Sequence, residues 1–244
     1  MKYNTSIGII FLLAIMCLAC KKQEDRTCWK AKGENTTITI NQSSVSQLNL
    51  YDDMNLILIN DSLEVFTIEG PENLIKLIDF NSDHSELTIR NTNTCNFLRV
   101  ENEINLYYHY KDIEQINLFG YGTLTNQHKI KHPITVHAYQ AFSSIDLTIE
   151  NVNSNFIIFN GSTELKVQGN CNHLYCYNSG LGPVKCANIE AQKAHINSNT
   201  IASSQISVVD TLIVEINSFG NLYYSGNPST TLFTINGEGK IIHL

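Results

Sequence analysis

Charged residues are scarce in this sequence, and their scarcity limits what the protein can bind. Only 16% of the 244 residues are charged, with 16 basic residues against 23 acidic ones. No basic patch with interleaved aromatic residues occurs, which is the pattern expected of a nucleic-acid-binding surface. The formal net charge of −7 favours solubility and carries no information about the fold. We therefore expect no nucleic-acid partner.

The sequence also lacks the motifs by which enzymes and metal proteins are recognised. It contains no nucleophile elbow, no phosphate-binding loop and no haem motif. Cys171, Cys176 and Cys186 follow one another at gaps of 5 and 10 residues, which match no zinc pattern. His128 and His132 are four residues apart, but the proline that follows argues against a helix that would bring them to one face. We predict no metal, no cofactor and no catalysis.

A carbohydrate-active enzyme is nevertheless kept as an alternative, because polysaccharide lyases and hydrolases also use repetitive β folds. Glycoside cleavage usually needs two carboxylates at a set separation in a cleft. The acidic residues between Ile116 and Leu244 show no pair in an obvious register with a basic partner. This pattern favours binding over catalysis.

The segment from Ile116 to Leu244 repeats itself about every 20 residues. Each unit has a short alternating run, a turn with a small residue, and a second alternating run. Self-similarity at such a period is typical of stacked repeat architectures. Five units place an asparagine near the turn, at gaps of 18, 19, 20 and 19 residues: Asn160, Asn178, Asn197, Asn217 and Asn236.

Stacking lets each unit bury the apolar side that it cannot bury alone. At a strand spacing of about 4.8 Å, seven such coils make a column roughly 34 Å long. The sequence therefore predicts an all-β fold, a parallel β-helix or solenoid in which each coil rests on its predecessor. The five asparagines would then lie above one another as a structural ladder of amides. A β-sandwich, also built from short strands at regular spacing, is the alternative.

The first 34 residues resemble a signal for export from the cytoplasm. Ile7–Ala19 is an apolar run of 13 residues, too short to span a bilayer and arranged like a secretory signal. Cys20 follows at once, in the position of the lipidated cysteine of bacterial lipoprotein signals. We predict a signal peptide over 1–19, lipid attachment at Cys20 and a polar tether over 20–34. The protein would be an exported outer-membrane lipoprotein on the periplasmic or cell-surface side, with a soluble secreted protein as the alternative.

The remaining chain, 35–244, is predicted to form one β-helix domain with regular coils over 116–244. Less regular, wider first coils of the same column are expected over 35–115, with a short helical turn within 74–78. An N-terminal cap is expected because an open column end exposes unpaired backbone. Runs rich in β-branched or aromatic residues predict strands in the irregular part: Thr36–Ile40, Asn55–Ile59, Val65–Glu69, Glu86–Arg90 and Ile104–Tyr110.

Several stretches are similar to one known family. They are CWK from Cys28 with Gly33, EGPENLIKLI from Glu69, LTIRNTNTCNFLR from Leu87, NLFGYGTL from Asn117, INSFGNLYYSGNPS from Ile216 and INGEGKIIHL from Ile235. On these stretches the chain resembles the putative auto-transporter adhesin, head GIN domain family of Bacteroidetes lipoproteins. The resemblance implies a single-stranded, right-handed β-helix and no known activity. Cys28 and Cys95 lie in the family-like motifs outside the repeat, and we predict that they form a disulfide.

Aromatic residues supply the candidate binding surface. Exposed rings stack on sugars and anchor protein interfaces. The sequence favours a non-catalytic surface module for binding or adhesion to a glycan or a protein. A structural envelope protein that assembles as a homo-oligomer through the column ends is the alternative. Four rings near corresponding turns are predicted to form a contact strip: Tyr121, Tyr139, Tyr177 and Phe219.

Overall fold

A computed structural model describes residues 32–93, 103–139 and 143–244. These ranges are all-β apart from one short helix, α1 (Glu72–Ile75). The strands are β1 (Asn35–Asn41), β2 (Gln47–Tyr51), β3 (Asn55–Asn60), β4 (Val65–Pro71), β5 (Ile78–Asp83), β6 (Glu86–Asn91), β7 (Asn105–Tyr110), β8 (Gln115–Leu118), β9 (Gly122–Asn126), β10 (Ile134–Ala138), β11 (Ser143–Ile158), β12 (Glu164–Asn178), β13 (Val184–Ser198), β14 (Ser204–Ile216), β15 (Leu222–Ser225), β16 (Thr230–Ile235) and β17 (Ile241–His243).

Most of the strands stack in parallel on two faces of one column. Face A contains β6, β2, β8 and β10, then the second halves of β11 to β14, and finally β16. Face B contains β7, β3 and β9, then the first halves of β11 to β14, and finally β15 and β17. Paired residues of the regular coils are about 20 residues apart. The predicted parallel β-solenoid is confirmed, and the sandwich alternative is wrong.

The column closes around one apolar core because side chains alternate along each strand. In β12, Leu165, Val167, Leu174 and Cys176 are all buried, whereas most residues between them are partly or fully exposed. Each buried side chain packs against its register partners in the neighbouring coils, so the core is continuous along the column. Fully burying one aliphatic side chain contributes about 1.5–3 kcal/mol relative to leaving it exposed.

Each regular coil has a tight turn from face A to face B, and a bend where one long strand passes from face B to face A. Gly169 lies at the bend of β12 with φ +104°. A Cβ atom added there would lie 2.1 Å from the carbonyl oxygen of Ile149 in the preceding coil. Glycine alone tolerates both the left-handed backbone and this close approach.

The first coils of the column are not stacked in chain order. The coil made by β2 and β3 lies between two others: β6 and β7 pair with it on one side, and β8 and β9 pair with it on the other. After the coil of β8 and β9, each coil rests on the one before it. The expected first coils are therefore present, but the expectation that every coil rests on its predecessor is wrong at the coil of β8 and β9, which rests on β2 and β3 instead of β6 and β7.

A cap covers the N-terminal end of the column, as expected. β4 pairs antiparallel with β1 and β7, and β5 pairs antiparallel with β6. Leu74 and Ile75 of α1 are 1% and 2% exposed because they cover the end of the core. The five strands predicted in the irregular part are β1, β3, β4, β6 and β7, and the predicted helical turn is α1. Ile78 begins β5 instead of continuing the turn.

Candidate binding surface

A column of stacked aromatic rings runs along the turn side of face A. Tyr51, Phe119, Tyr139 and Phe159 occupy one register position in successive coils, and we call them the ring ladder. Their centroids are 4.4, 4.7 and 4.8 Å apart, with planes within 13° of parallel. The guanidinium of Arg90 lies 3.6 Å from the centroid of Tyr51 and covers its outer face. Because the rings turn their faces to one another, the ladder stabilises coil stacking and presents ring edges to solvent.

A buried amide row lies beside the ring ladder, two residues earlier in each strand. Asn117 Nδ2 donates to Asn49 Oδ1 at 2.6 Å, and Asn117 Oδ1 accepts from Gln115 Nε2 at 3.0 Å and lies 2.9 Å from His137 Nδ1. Burial lowers the pKa of His137. Neither row is among the sequence predictions. The available signal is the recurrence of NLY from Asn49, NLF from Asn117 and HAY from His137.

The five asparagines predicted to form a ladder do not share one register position. Asn236 Nδ2 donates to Asn217 Oδ1 at 2.7 Å, and these two are the pair that the structure brings together. Asn197 lies on the neighbouring outward position and accepts from Asn217 Nδ2 at 3.4 Å. Asn178 is 1% exposed and accepts from a backbone N–H of its own turn at 3.0 Å, whereas Asn160 is an exposed turn residue. The ladder is corrected to one pair that shares a register position, Asn217 and Asn236, because a shift of one residue in register moves a side chain to the opposite face.

Three exposed apolar side chains form a row along the turn corner of the column. Leu181, Ile201 and Phe219 are 64%, 65% and 61% exposed. Each one is the middle residue of a turn, between the last paired residue on face A and the first paired residue on face B. The three positions are therefore equivalent. Successive coils are about 4.8 Å apart, and the three side chains therefore lie side by side. We call them the corner ridge.

The same turn position links the ridge to the predicted contact strip. Tyr121, 52% exposed, occupies it nearer the N-terminal cap, and Phe219 belongs to the ridge itself. Tyr139 lies in the ring ladder, and Tyr177 lies on face A with its ring 6.2 Å from that of Phe159. The structure therefore does not join the four predicted residues into one strip. Leu181 and Ile201 were missed because the prediction looked for aromatic rings, whereas the shared property is a place in the turn.

Small polar side chains replace the ring ladder beside the ridge. Ser179, Asn199 and Asn217 continue the register of Phe159, as their equivalent backbone hydrogen bonds to the preceding coils show. The ladder thus ends at Phe159, and a polar row takes its place. Because these side chains are smaller than a ring, we expect the surface to be lower next to the ridge than along the ring ladder.

The polar row is bordered on its other side by outward residues of face A. Tyr177, Asn197 and Glu215 hold equivalent positions in three successive coils. Asn197 Nδ2 donates to Glu215 Oε2 at 2.7 Å, and Asn199 Nδ2 donates to Asn197 Oδ1 at 3.2 Å. We call the polar row between this border and the corner ridge the corner groove. It offers amide donors and acceptors on one side and apolar surface on the other.

Basic side chains pair with acidic ones across the coils. Lys166 Nζ lies 2.7 Å from Asp146 Oδ2, and Lys185 Nζ lies 2.9 Å from Glu164 Oε2. His195 Nε2 lies 3.1 Å from Glu215 Oε1. Asp146 and Lys166 are direct register partners in adjacent coils, an ion pair that the sequence pattern did not reveal. Each carboxylate contacts a basic group of a neighbouring coil, and partly exposed pairs of this kind contribute at most about 1 kcal/mol.

The cysteines of the regular coils are core residues. Cys171, Cys176 and Cys186 are buried free thiols. Burial raises the pKa of Cys171 to about 11 and that of Cys186 to about 12, so these thiols stay protonated and inert. The predicted lipid site Cys20 and the predicted disulfide partners Cys28 and Cys95 lie outside the described residues.

Metal-binding groups and membrane-spanning helices are both absent from residues 32–93, 103–139 and 143–244. No group of three His, Cys, Asp or Glu side chains there could hold a metal ion. No helix there is long and apolar enough to cross a membrane.

Solved structures share this fold at low sequence identity. A putative adhesin from Bacteroides fragilis superposes with a TM-score of 0.75 at 13% identity, over 86% of this chain and 97% of that one. A putative lipid binding protein from Parabacteroides distasonis gives 0.62 at 17% identity, over 87% and 97%. A putative adhesin from Parabacteroides merdae gives 0.58 at 13% identity, over 87% and 97%. At these identities the likeness shows the fold alone.

The family comparison covers most of the described column. No curated protein matches this chain. The family model described as putative auto-transporter adhesin, head GIN domain, matches residues 44–228, a range that contains the ring ladder and the corner ridge. The family name is that of an adhesin rather than an enzyme, and it suggests an exported surface protein. The chain therefore belongs to the putative auto-transporter adhesin, head GIN domain family.

Proposed function

We propose that this protein is a lipid-anchored binding module of the cell envelope and that the corner groove binds a glycan without catalysis. The observation that carries the proposal is the corner ridge. Three large apolar side chains, each more than 60% exposed, lie in adjacent coils beside a row of amides. Contiguous exposed apolar surface of this kind marks interaction sites more often than scattered apolar residues do.

The mixed character of the groove favours a saccharide. A pyranose ring has an apolar C–H face and a rim of hydroxyl groups. The C–H face can lie on Leu181, Ile201 and Phe219, while the hydroxyls exchange hydrogen bonds with Asn199 and Asn217. A purely apolar patch would instead favour a protein partner, whose interface core is depleted of polar groups.

The predicted domain layout suits this role. With a signal peptide over 1–19, lipid on Cys20 and a tether over 20–34, the membrane lies on the side of the N-terminal cap. The corner ridge is built from turns of β12, β13 and β14, in the half of the column remote from that cap. The tether would therefore join the membrane to the end of the column that is remote from the groove. The pairing of Asp146, Glu164 and Glu215 with basic side chains supports a structural role for these carboxylates rather than catalysis.

A glycan array tests the proposal with two matched triple variants. The first changes the corner ridge, with Leu181→Ser, Ile201→Ser and Phe219→Ser. The control changes three exposed apolar residues elsewhere, Leu63→Ser, Val152→Ser and Val209→Ser, which are 61%, 52% and 43% exposed. Covering each ridge side chain contributes about 1 kcal/mol at about 25 cal/mol per Å². We expect the ridge variant to bind its glycan on the order of 100-fold more weakly.

The outcomes separate the proposal from its competitors. Binding that the ridge variant loses and the control variant keeps supports the corner groove. Equal binding by both variants places the site elsewhere. If the array shows no binding, and capture of a surface protein requires the corner ridge, then the ligand is a protein and not a glycan.

A further inference from the structure

The C-terminal end of the column has no cover comparable to the N-terminal cap among the described residues. Phe233 and Ile235 hold inward positions of the last coil but are 40% and 50% exposed. Their register partners one coil earlier, Val214 and Ile216, are completely buried. β16 pairs with β14 alone and β17 with β15 alone, so each leaves its outer edge unpaired within the described ranges. Apolar core and sheet edge are thus open at the same place.

The residues that face the open edge follow from the hydrogen bonds on the paired side. Asn236 N–H donates to Ile216 O, and Leu244 N–H donates to Tyr224 O. Alternate residues of a parallel strand direct both backbone groups to the same side. The backbone groups facing the open edge are therefore those of Thr231, Phe233 and Ile235 in β16, and of Ile241 and His243 in β17. Such edges pair readily with another strand.

We propose that a second copy of this chain covers this end, with the two C-terminal ends joined through a two-fold axis. An axis perpendicular to faces A and B makes each β16 antiparallel to its copy and each β17 antiparallel to its copy. Phe233 is the central edge-facing residue of β16. Its ring lies 6.1 Å from that of Tyr224, whose register partner in β17 is His243. The middles of β16 and β17 therefore lie nearly opposite, and one axis can serve both.

Three features favour a second copy as the occupant. The C-terminal end of the column has two open strand edges at sheet spacing with the core between them. The same end of a second molecule presents the same arrangement and so can pair with it. Leu74 and Ile75 of α1 already cover the core at the N-terminal end, so a head-to-tail contact would bury one open core end, whereas a two-fold dimer buries two. The inward residues of the last coil include no Lys, Arg, Asp or Glu, so joining two ends brings no cluster of like charges together.

The size of the end predicts a weak dimer. A strand of six residues is about 20 Å long, and two sheets with their own thickness span about 20 Å, so two joined ends bury roughly 800 Å² in total. Interfaces below about 1,200 Å² belong to weak, transient complexes. The two-fold axis keeps face A of both copies on one side, which would pair two corner grooves for bivalent binding. The dimer itself does not depend on the proposed glycan.

Sedimentation velocity tests the dimer on residues 21–244, the predicted mature chain without its lipid-bearing cysteine, which retains every described strand and α1. A thiol reductant prevents disulfide cross-links, and the protein is studied from about 1 μM to about 500 μM, the range in which weak association is measurable. We expect the dimer fraction to rise across this range. Phe233→Lys should weaken association at least tenfold, because it places two positive charges at the axis. Thr234→Lys, on the outward side of the same strand, is the matched control and should leave association unchanged.

A second variant keeps the test decisive if Phe233→Lys disturbs the last coil. Ile235→Pro removes one N–H from the open edge and none from the pairing with β14, and edge strands tolerate proline at such positions. It should also weaken the dimer at least tenfold. A monomer at every concentration would overturn the proposal. So would a dimer that both variants leave intact, or one that only the corner ridge variant abolishes.

Discussion

Substitution of Tyr139 can distinguish a structural role of the ring ladder from a role in binding. The Tyr139 ring is stacked on both sides, 4.7 Å from Phe119 and 4.8 Å from Phe159. Each aromatic pair contributes about 0.5–1.5 kcal/mol beyond the area that it buries. The half-buried ring itself adds about 1 kcal/mol through its apolar area. Tyr139→Ala should therefore lower the free energy of unfolding by roughly 2–4 kcal/mol, whereas Tyr139→Phe keeps both stacks and should change it by less than about 0.5 kcal/mol.

Urea and thermal unfolding followed by circular dichroism measure the effect. For a protein of this length, about 1 kcal/mol corresponds to a shift of roughly 2–4 °C in Tm, so Tyr139→Ala should unfold about 5–15 °C lower. Phe219→Ala is the control, because it removes an exposed ring of the corner ridge and should shift stability by no more than about 0.5 kcal/mol. Equal stability of the two alanine variants would show that the ring ladder does not stabilise the stack. If Tyr139→Ala lost glycan binding but kept full stability, Tyr139 would instead belong to the binding surface.

Three other predictions concern the bend, the buried amide row and the thiols. Gly169→Ala should destabilise the protein by at least about 2 kcal/mol in urea unfolding, because it strains a positive φ and sets a methyl group against Ile149 O; an unchanged midpoint would contradict the close approach at the bend. Burial lowers the pKa of His137, so the unfolded chain binds this proton more tightly than the folded one. Its contribution is therefore fully present above about pH 6.5 and is lost as the pH falls, and His137→Gln should show a smaller loss of stability between about pH 7 and pH 5. Cys171, Cys176 and Cys186 should resist alkylation in the folded protein at about pH 8 and react after unfolding, since burial keeps them protonated; rapid labelling of the native protein, mapped by mass spectrometry, would contradict their placement in the core.

The sequence favoured the observed fold over a sandwich because the repeat and the alternation act together. A period of about 20 residues favours stacked coils, and alternating apolar residues assign each strand an inward side. Five strands of the irregular part were predicted from composition alone, and β1, β3, β4, β6 and β7 occupy those positions. The chain order of the first coils was not predictable in this way. Placing the coil of β2 and β3 between its successors depends on tertiary pairing, which has no local signature.

The candidate site was predicted only in part because the repeat period does not determine which residues of neighbouring coils lie in register. Asn160, Asn178 and Asn197 recur at nearly the right gaps, yet offsets of one or two residues assign them to a turn, the core and face A. Counting from the last inward residue before each turn, rather than from the asparagine, would have placed Leu181, Ile201 and Phe219 in one row. The same count joins Tyr51, Phe119, Tyr139 and Phe159 into the ring ladder.

The central claim is that equivalent turn positions of adjacent coils lie next to each other and so form the corner ridge. Disulfide trapping measures this directly. Ile201→Cys with Phe219→Cys places two thiols in adjacent coils, within the Cα separation of about 7 Å that a disulfide allows. Ile201→Cys with Glu238→Cys places them two coils apart, at about 10 Å, beyond that limit. We predict that mild oxidation links the first pair and not the second, as detected by peptide mass spectrometry; efficient linkage of the second pair and none of the first would contradict the ridge and the binding surface built on it.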